Sequence, residues 1–171
     1  TASQCKELRQ GNLHPLGEIQ EQHLEPVIAR LFGHSKLRPG QGEAIAQCLR
    51  GQDTLILLPT GHGKSTIFQV ASFLLPGKAI VIEPFRTLID DQERNLRAHG
   101  IDHVLGFHAK RRPPQGHEAE TLARPILLYI AAERLHVQSF YKHISHSLRD
   151  QGLSLFIVDE AHTVSHFGHS F

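Results

Sequence analysis

The sequence contains no methionine and only two cysteines, Cys5 and Cys48, among its 171 residues. Two cysteines without metal-type spacing indicate neither a disulfide framework nor a zinc site, and a reducing, intracellular setting fits best. No apolar run approaches the roughly 18 residues of a membrane-spanning helix, and no signal peptide is visible. Because the chain begins at Thr1, lacks Met and stops soon after His162, we expect it to be a piece of a longer protein.

A general excess of positive charge is also missing, because the formal net charge is only +1. Any binding of nucleic acid therefore needs a local basic patch instead of a field around the whole molecule. One basic, proline-rich stretch at residues 108–118 contains Lys110, Arg111 and Arg112. These cations could contact a phosphate backbone, although a solvated turn explains them equally well.

Hydrophobic periodicity predicts an alternation of helices and strands. Residues 1–17 show no clear period and are interpreted as a loose leader, and residues 18–171 as one domain. Predicted helices cover residues 18–32, 41–50, 65–75, 87–99 and 132–148. Predicted strands cover residues 54–58, 79–82, 103–106, 126–130 and 155–158. Most of these strands are continuous apolar runs, which is typical of an α/β domain with a mostly parallel sheet and right-handed crossovers.

A glycine-rich segment, PTGHGKST at residues 59–66, follows the first predicted strand and is called the phosphate loop below. Glycines let successive backbone N–H groups turn toward phosphate oxygens, and a helix that begins at Lys64 adds its N-terminal dipole. Lys64 would neutralise the β- and γ-phosphates of ATP, and the Ser65 hydroxyl would coordinate Mg²⁺. The Walker pattern asks for Gly where this chain has Leu58, a departure that helicase-type motors share. The residues expected to bind ATP here are Thr60, Gly61, His62, Gly63, Lys64, Ser65 and Thr66.

An acidic motif, DEAH, follows the last predicted strand. A buried strand would deliver these acids at its carboxyl end, where ligands lie in open α/β sheets. Asp159 would hold Mg²⁺, usually through its water, and Glu160 would orient and deprotonate the attacking water. His162 would link hydrolysis to the rest of the protein. Together with Lys64, these three residues are the predicted catalytic set.

The two motifs resemble those of superfamily 2 helicases and, within them, the RecQ family of DNA helicases, over roughly residues 30–171. The resemblance implies a three-layer α/β/α RecA-like fold. Residues 32–41, FGHSKLRPGQ, look like the family's adenine-recognition segment F-G-x-x-x-F-R-x-x-Q. By this resemblance Gln41 would read the adenine edge with two hydrogen bonds, Arg38 would support it, and His34 would stack where the family usually has Tyr.

Three further segments resemble the family's DNA-facing motifs. Residues 83–92, EPFRTLIDDQ, are similar to S-P-L-x-S-L-M-x-D-Q, with Glu83 replacing a small polar residue and Arg86 a candidate partner for its charge. Residues 129–135, YIAAERL, are similar to Y-I-A-P-E-R-L. Residues 162–171, HTVSHFGHSF, resemble the aromatic-rich loop H-C-I-S-Q-W-G-H-D-F, whose rings can stack on bases. The DNA contacts implied by these likenesses are Arg86, Thr87, Gln92, Arg134, His166, Phe167, His169 and Phe171.

The resemblance implies an ATP-dependent 3′–5′ DNA helicase or translocase, of which this chain is the first motor domain. Single-stranded DNA, or DNA with a single-stranded tail, is the implied partner, and a second RecA-like domain of the parent chain would complete the motor. The implied location is intracellular, in the cytoplasm or nucleoid or in the nucleus, and the implied processes are DNA repair and recombination.

Several alternatives remain open. An RNA helicase shares the phosphate loop and DEAH motif, and a restriction or phage-defence subunit could carry the same domain. A module that binds nucleotide without hydrolysing it is a third possibility. His162, His166 and His169 could instead bind a metal, although no carboxylate or Cys completes that set.

Overall fold

The computed structural model describes residues 21–33, 36–110, 126–138, 144–145, 148–149 and 151–163. Contacts between residues divide the chain into two compact units, Thr1–Pro76 and Gly77–Phe171. The predicted leader at residues 1–17 lies outside the described residues, and the single-domain boundary stays a prediction.

The described part of the first unit is helical. Helix α1 spans Glu21–Phe32, α2 spans Gln41–Leu49 and α3 spans Lys64–Leu74, close to the predicted bounds. Helices α2 and α3 pack against each other. Buried apolar residues recur on both at helical spacing, as an amphipathic helix requires. They are Ile45, Ala46, Leu49, Ile67, Val70 and Ala71.

The prediction of a strand at residues 54–58 is wrong. This segment pairs with no strand in the described part of the chain. The side chains of Leu55 and Leu57 are 82% and 83% exposed. A strand exists through hydrogen bonds to a neighbouring strand, so an apolar composition is not sufficient to form one.

The second unit contains a parallel sheet of four strands in its described part. The strands are β1 Lys78–Glu83, β2 Val104–Phe107, β3 Leu127–Ala131 and β4 Leu153–Val158. Their order across the sheet is β2-β3-β1-β4, and all neighbouring pairs are parallel. Helix α4, Arg86–Ala98, lies between β1 and β2 in the chain, and a short 3-10 helix, Ala132–Arg134, follows β3. The prediction of an α/β fold with a parallel sheet is confirmed.

The two central strands, β1 and β3, are buried along their whole length. One face of the sheet is covered by α4. Ile89 of this helix packs so close to Gly106 of β2 that a Cβ added to Gly106 would lie 2.4 Å from Ile89 Cγ2. Because both faces are covered, the central strands read as continuous apolar runs in the sequence. The apolar cluster on the remaining face consists of Ile80, Ile82, Phe107, Leu128, Ile130 and Ile144.

Strand β4 lies at the edge of this sheet and pairs with β1 alone among the described strands. Phe156 is 59% exposed and Val158 is 45% exposed, so the prediction of a buried strand here is wrong for these side chains. The predicted helix at residues 132–148 begins as the 3-10 helix, and much of its remainder lies outside the described residues. Within the described ranges, no helix combines the length and apolar character that crossing a membrane requires.

Candidate functional site

The phosphate loop runs directly into helix α3, which begins at Lys64. Gly61 and Gly63 have φ angles of +78° and +74°, in the left-handed region that glycine adopts without steric cost. Gly63 is also the N-cap of α3, and no side chain caps this helix end. The first N–H groups of a helix lack partners within the helix, so this start fits a phosphate group.

The side chains of the first turn of α3 suit the same ligand. Lys64 donates a hydrogen bond from Nζ to the carbonyl of Leu58 at 3.1 Å, which holds its ammonium against the loop. Ser65 is partly buried in this turn and offers a hydroxyl oxygen, the ligand type that Mg²⁺ prefers. Thr60, Gly61 and His62 are exposed, as residues that meet a soluble ligand should be.

Gln41 is tied to the phosphate loop. This residue begins α2 and is only 2% exposed. Its side-chain nitrogen donates to the carbonyls of His62 and Gly63, each at 3.0 Å, and its side-chain oxygen accepts the Arg38 N–H at 2.8 Å. The Arg38 guanidinium also donates to the carbonyl of Gly61. The segment that resembles the adenine reader therefore braces the loop, and adenine recognition by Gln41 stays a prediction. The proposed stacking residue, His34, lies outside the described residues.

In the second unit, the acidic motif follows β4 directly. The Asp159 N–H donates to the carbonyl of Ile82 at 3.0 Å, which ties the motif to the end of β1. Asp159 Oδ1 accepts the Glu160 N–H at 2.9 Å, and Glu160 Oε2 lies 3.2 Å from His162 Nδ1. These groups lie at the carboxyl ends of parallel strands, the edge where α/β sheets bind ligands.

Glu83 is a third carboxylate at this edge, and sequence reasoning did not assign it to the site. It ends β1, is fully buried, and accepts the Phe85 N–H on Oε1 at 3.1 Å. Its Oε2 is buried without a hydrogen-bond partner. Burial raises the pKa of Glu83 to about 7, aided by the charges of Asp159 and Glu160 and opposed by the Phe85 N–H. A single sequence does not reveal that an acid at the end of a strand is buried with one of its oxygens lacking a hydrogen-bond partner.

Arg86 does not neutralise Glu83, so that prediction is wrong. Its Nε donates to Glu133 Oε1 at 2.9 Å, an ion pair whose two side chains are both substantially exposed. Arg86 and Thr87 stand at the exposed start of α4, where a DNA backbone could reach them. Arg134 is buried, which favours a structural role for this residue over a DNA contact.

Of the other predicted DNA contacts, only Gln92 lies among the described residues. Gln92 is partly buried on α4. The described residues contain no group of three His, Cys, Asp or Glu side chains suited to a metal ion, and the alternative histidine site extends beyond them. The aromatic-rich loop also lies outside the described residues, with its predicted contacts His166, Phe167, His169 and Phe171.

A parallel α/β sheet, a phosphate loop that opens a helix and an acidic motif at a strand end define a RecA-like P-loop domain. Residues 38–170 match the DEAD/DEAH box helicase family, and the chain belongs to that family.

The relatives are DNA helicases. The chain is 33% identical to the probable ATP-dependent DNA helicase RecS of Bacillus subtilis, over 86% of this chain and 29% of the relative. It is 33% identical to the ATP-dependent DNA helicase RecQ of Haemophilus influenzae, over 85% of this chain and 23% of the relative. It is 35% identical to the RecQ-like DNA helicase BLM of Xenopus laevis, over 85% of this chain and 11% of the relative. The chain thus spans less than a third of each relative, and its resemblance to the RecQ family is confirmed.

Proposed function

We propose that this chain is the ATP-binding motor domain of an ATP-dependent DNA helicase that couples hydrolysis to movement along single-stranded DNA in the 3′–5′ direction. The observation that carries the proposal is the start of α3, where two left-handed glycines and an uncapped helix end precede Lys64 and Ser65. The similarity to proteins named as DNA helicases favours DNA over RNA as the polymer.

The phosphate loop and the acidic motif have separate roles in the proposed reaction. In the first unit the phosphate loop binds the β- and γ-phosphates, with Lys64 as the neutralising cation and Ser65 as a candidate oxygen ligand of Mg²⁺. In the second unit Glu160 takes the proton of the attacking water, His162 lies against its carboxylate, and Asp159 is a candidate Mg²⁺ ligand. Ser65 and Asp159 would hold the Mg²⁺, whose positive charge would offset the negative charge of the phosphates.

A second RecA-like domain of the parent protein completes this motor. Such a domain would supply arginine fingers to the ATP site. Arginine fingers raise the hydrolysis rate by about 10³–10⁵ in related nucleotide hydrolases, so residues 1–171 alone should hydrolyse ATP slowly. The protein acts where DNA is found, in the cytoplasm or nucleoid or in the nucleus. DNA repair or recombination is the corresponding process.

The direct test uses the full-length protein and two substitutions. Lys64→Ala should abolish nucleotide binding, and Glu160→Gln should keep binding but slow hydrolysis by about 10²–10⁴-fold, the usual contribution of a general base. Arg50→Ala and Glu25→Gln are matched controls, because both residues are exposed and lie outside every segment that is given a role in binding or catalysis. Unchanged turnover in Lys64→Ala or Glu160→Gln would refute the site assignment.

The polymer is tested in the same assay. Hydrolysis by the full-length protein is measured with single-stranded DNA and with single-stranded RNA of the same length and sequence. Stimulation by DNA alone is expected, and stimulation by RNA alone would replace this proposal with the RNA helicase alternative. Nucleotide binding with no hydrolysis under either condition would favour a non-hydrolysing module.

A further inference from the structure

Glu160 adopts a backbone conformation that residues with a side chain seldom take. Its φ is +48°, and every other described residue with a positive φ is a glycine. A Cβ atom disfavours this left-handed region, so the conformation persists only where neighbouring groups enforce it. The strained residue is also the one predicted to activate water.

Both backbone polar groups of Glu160 are held by its neighbours. Its N–H donates to Asp159 Oδ1 at 2.9 Å. Its carbonyl accepts two hydrogen bonds from Thr163, one from the backbone N–H at 2.8 Å and one from the hydroxyl at 2.8 Å. Thr163 is only 7% exposed, and hydrogen bonds shielded from water are stronger than exposed ones.

The carboxylate of Glu160 takes no part in these backbone hydrogen bonds. The Glu160 side chain is 27% exposed, and its Oε2 lies 3.2 Å from His162 Nδ1. Because the N–H and the carbonyl are both fixed, the backbone angles of Glu160 are restrained from each side. The direction in which its carboxylate leaves the backbone is restrained with them.

We propose that Thr163 is a positioning residue for ATP hydrolysis. Its hydroxyl fixes the Glu160 carbonyl and thereby places the carboxylate that orients and deprotonates the attacking water. This inference rests on the proposed function, because Glu160 activates water only if the protein hydrolyses ATP. The similar family motif has Cys at this position, and a thiol is a weaker donor than a hydroxyl. The hydroxyl that makes this bond is therefore a feature of this chain's own sequence.

A hydroxyl bonded to a carbonyl three or four residues earlier is also an ordinary feature of helices. A purely structural bond would change the stability of the fold and leave the turnover of each folded molecule intact. A positioning bond acts on kcat, because a displacement of about 1 Å in a reacting group can cost about 10²-fold in rate.

The experiment compares three variants of the full-length protein. Thr163→Val removes the hydroxyl at nearly constant volume, Thr163→Ser keeps a hydroxyl, and Thr163→Cys supplies the weaker donor. ATP hydrolysis is measured at saturating single-stranded DNA, the affinity for a fluorescent ATP analogue is measured alongside, and thermal unfolding verifies the folded fraction.

We expect Thr163→Val to lower kcat by about tenfold or more while KM for ATP and nucleotide affinity stay within about twofold. Thr163→Ser should restore most of kcat. If Thr163→Val does not fold, the same comparison is made between Thr163→Ser and Thr163→Cys, with the lower kcat expected for Cys. An unaltered kcat in the hydroxyl-free variant, or a loss that Ser does not rescue, overturns the inference.

A double-mutant cycle separates this inference from the proposed function. In a Glu160→Gln background, measured in single turnover, Thr163→Val should add no further loss because it acts through the Glu160 carboxylate. Additive losses contradict the positioning role. If Glu160→Gln itself hydrolyses ATP at the normal rate, the proposed function fails; if only Thr163→Val is without effect, the proposed function stands and this inference fails.

Discussion

The side-chain nitrogen of Gln41 donates a hydrogen bond to the carbonyl of Gly63 at 3.0 Å and occupies the space beside that glycine. A Cβ at position 63 would lie 2.5 Å from this nitrogen. The φ of +74° would also strain any residue that carries a Cβ. The start of α2 and the phosphate loop are thus held together at a position where an added Cβ would displace the Gln41 amide from its hydrogen bonds.

Gly63→Ala should therefore weaken binding of Mg-ATP by at least about tenfold, because backbone strain and overpacking each cost about 1–3 kcal/mol. The measurement is the dissociation constant of a fluorescent ATP analogue for the full-length protein. Gly61→Ala is the matched control, since its φ is +78° but no atom lies within 4 Å of an added Cβ. Equal losses in the two variants would show that contact with Gln41 is unimportant.

Gln41→Ala should weaken the binding of ATP and of GTP to the same extent. Its three side-chain hydrogen bonds all go to the protein, so its removal loosens the phosphate loop whichever base is attached. The two dissociation constants are measured by competition against one fluorescent nucleotide. A loss confined to ATP would instead support direct reading of the adenine edge by Gln41.

Glu83→Gln should change how the stability of the protein depends on pH, measured without divalent cations. The pKa of Glu83 is raised from 4.5 to about 7, so between these values the folded state keeps a proton that the unfolded chain releases. The free energy of unfolding of the parent protein should fall as pH rises through this window, and the penalty is complete above it.

The Gln variant keeps an acceptor for the Phe85 N–H and carries no charge. It should be more stable than the parent by about 2–3 kcal/mol at pH 8 and differ little at pH 4.5. Urea unfolding at both values provides the test. Glu133→Gln, which removes a partly exposed carboxylate, is the control. A gain in stability at pH 8 no larger than that of the control would show that ionised Glu83 does not destabilise the folded protein.

Glu133→Gln should also strengthen binding of single-stranded DNA, because it releases Arg86 from its ion pair. We expect the affinity for single-stranded DNA to rise about two- to fivefold and to depend more steeply on salt concentration, because one more cation contacts the phosphates. Folding stability should change by less than about 1 kcal/mol, as for other exposed pairs. Asp91→Asn removes the same charge from the exposed Arg94–Asp91 pair on α4. An equal increase in both variants would indicate a general charge effect without a contact at Arg86.

Much of the chemistry in this chain is local in sequence and could be predicted from it. The phosphate loop and the start of α3 depend on neighbouring residues, because glycines set the backbone and the helix supplies its own N–H groups. The central strands β1 and β3 were predictable too, since burial on both faces leaves a continuous apolar run. The matching helicase family follows from these same motifs.

The sequence by itself therefore determined the class of fold, the phosphate loop and the identity of the acids at the end of β4. Only the tertiary structure decided that residues 54–58 form no strand, that Arg86 pairs with Glu133, and that Gln41 braces the loop. It also decided the pKa of Glu83 and the backbone strain at Glu160. Strand pairing, burial and partner choice depend on residues far apart in the chain, whose distances no local pattern records.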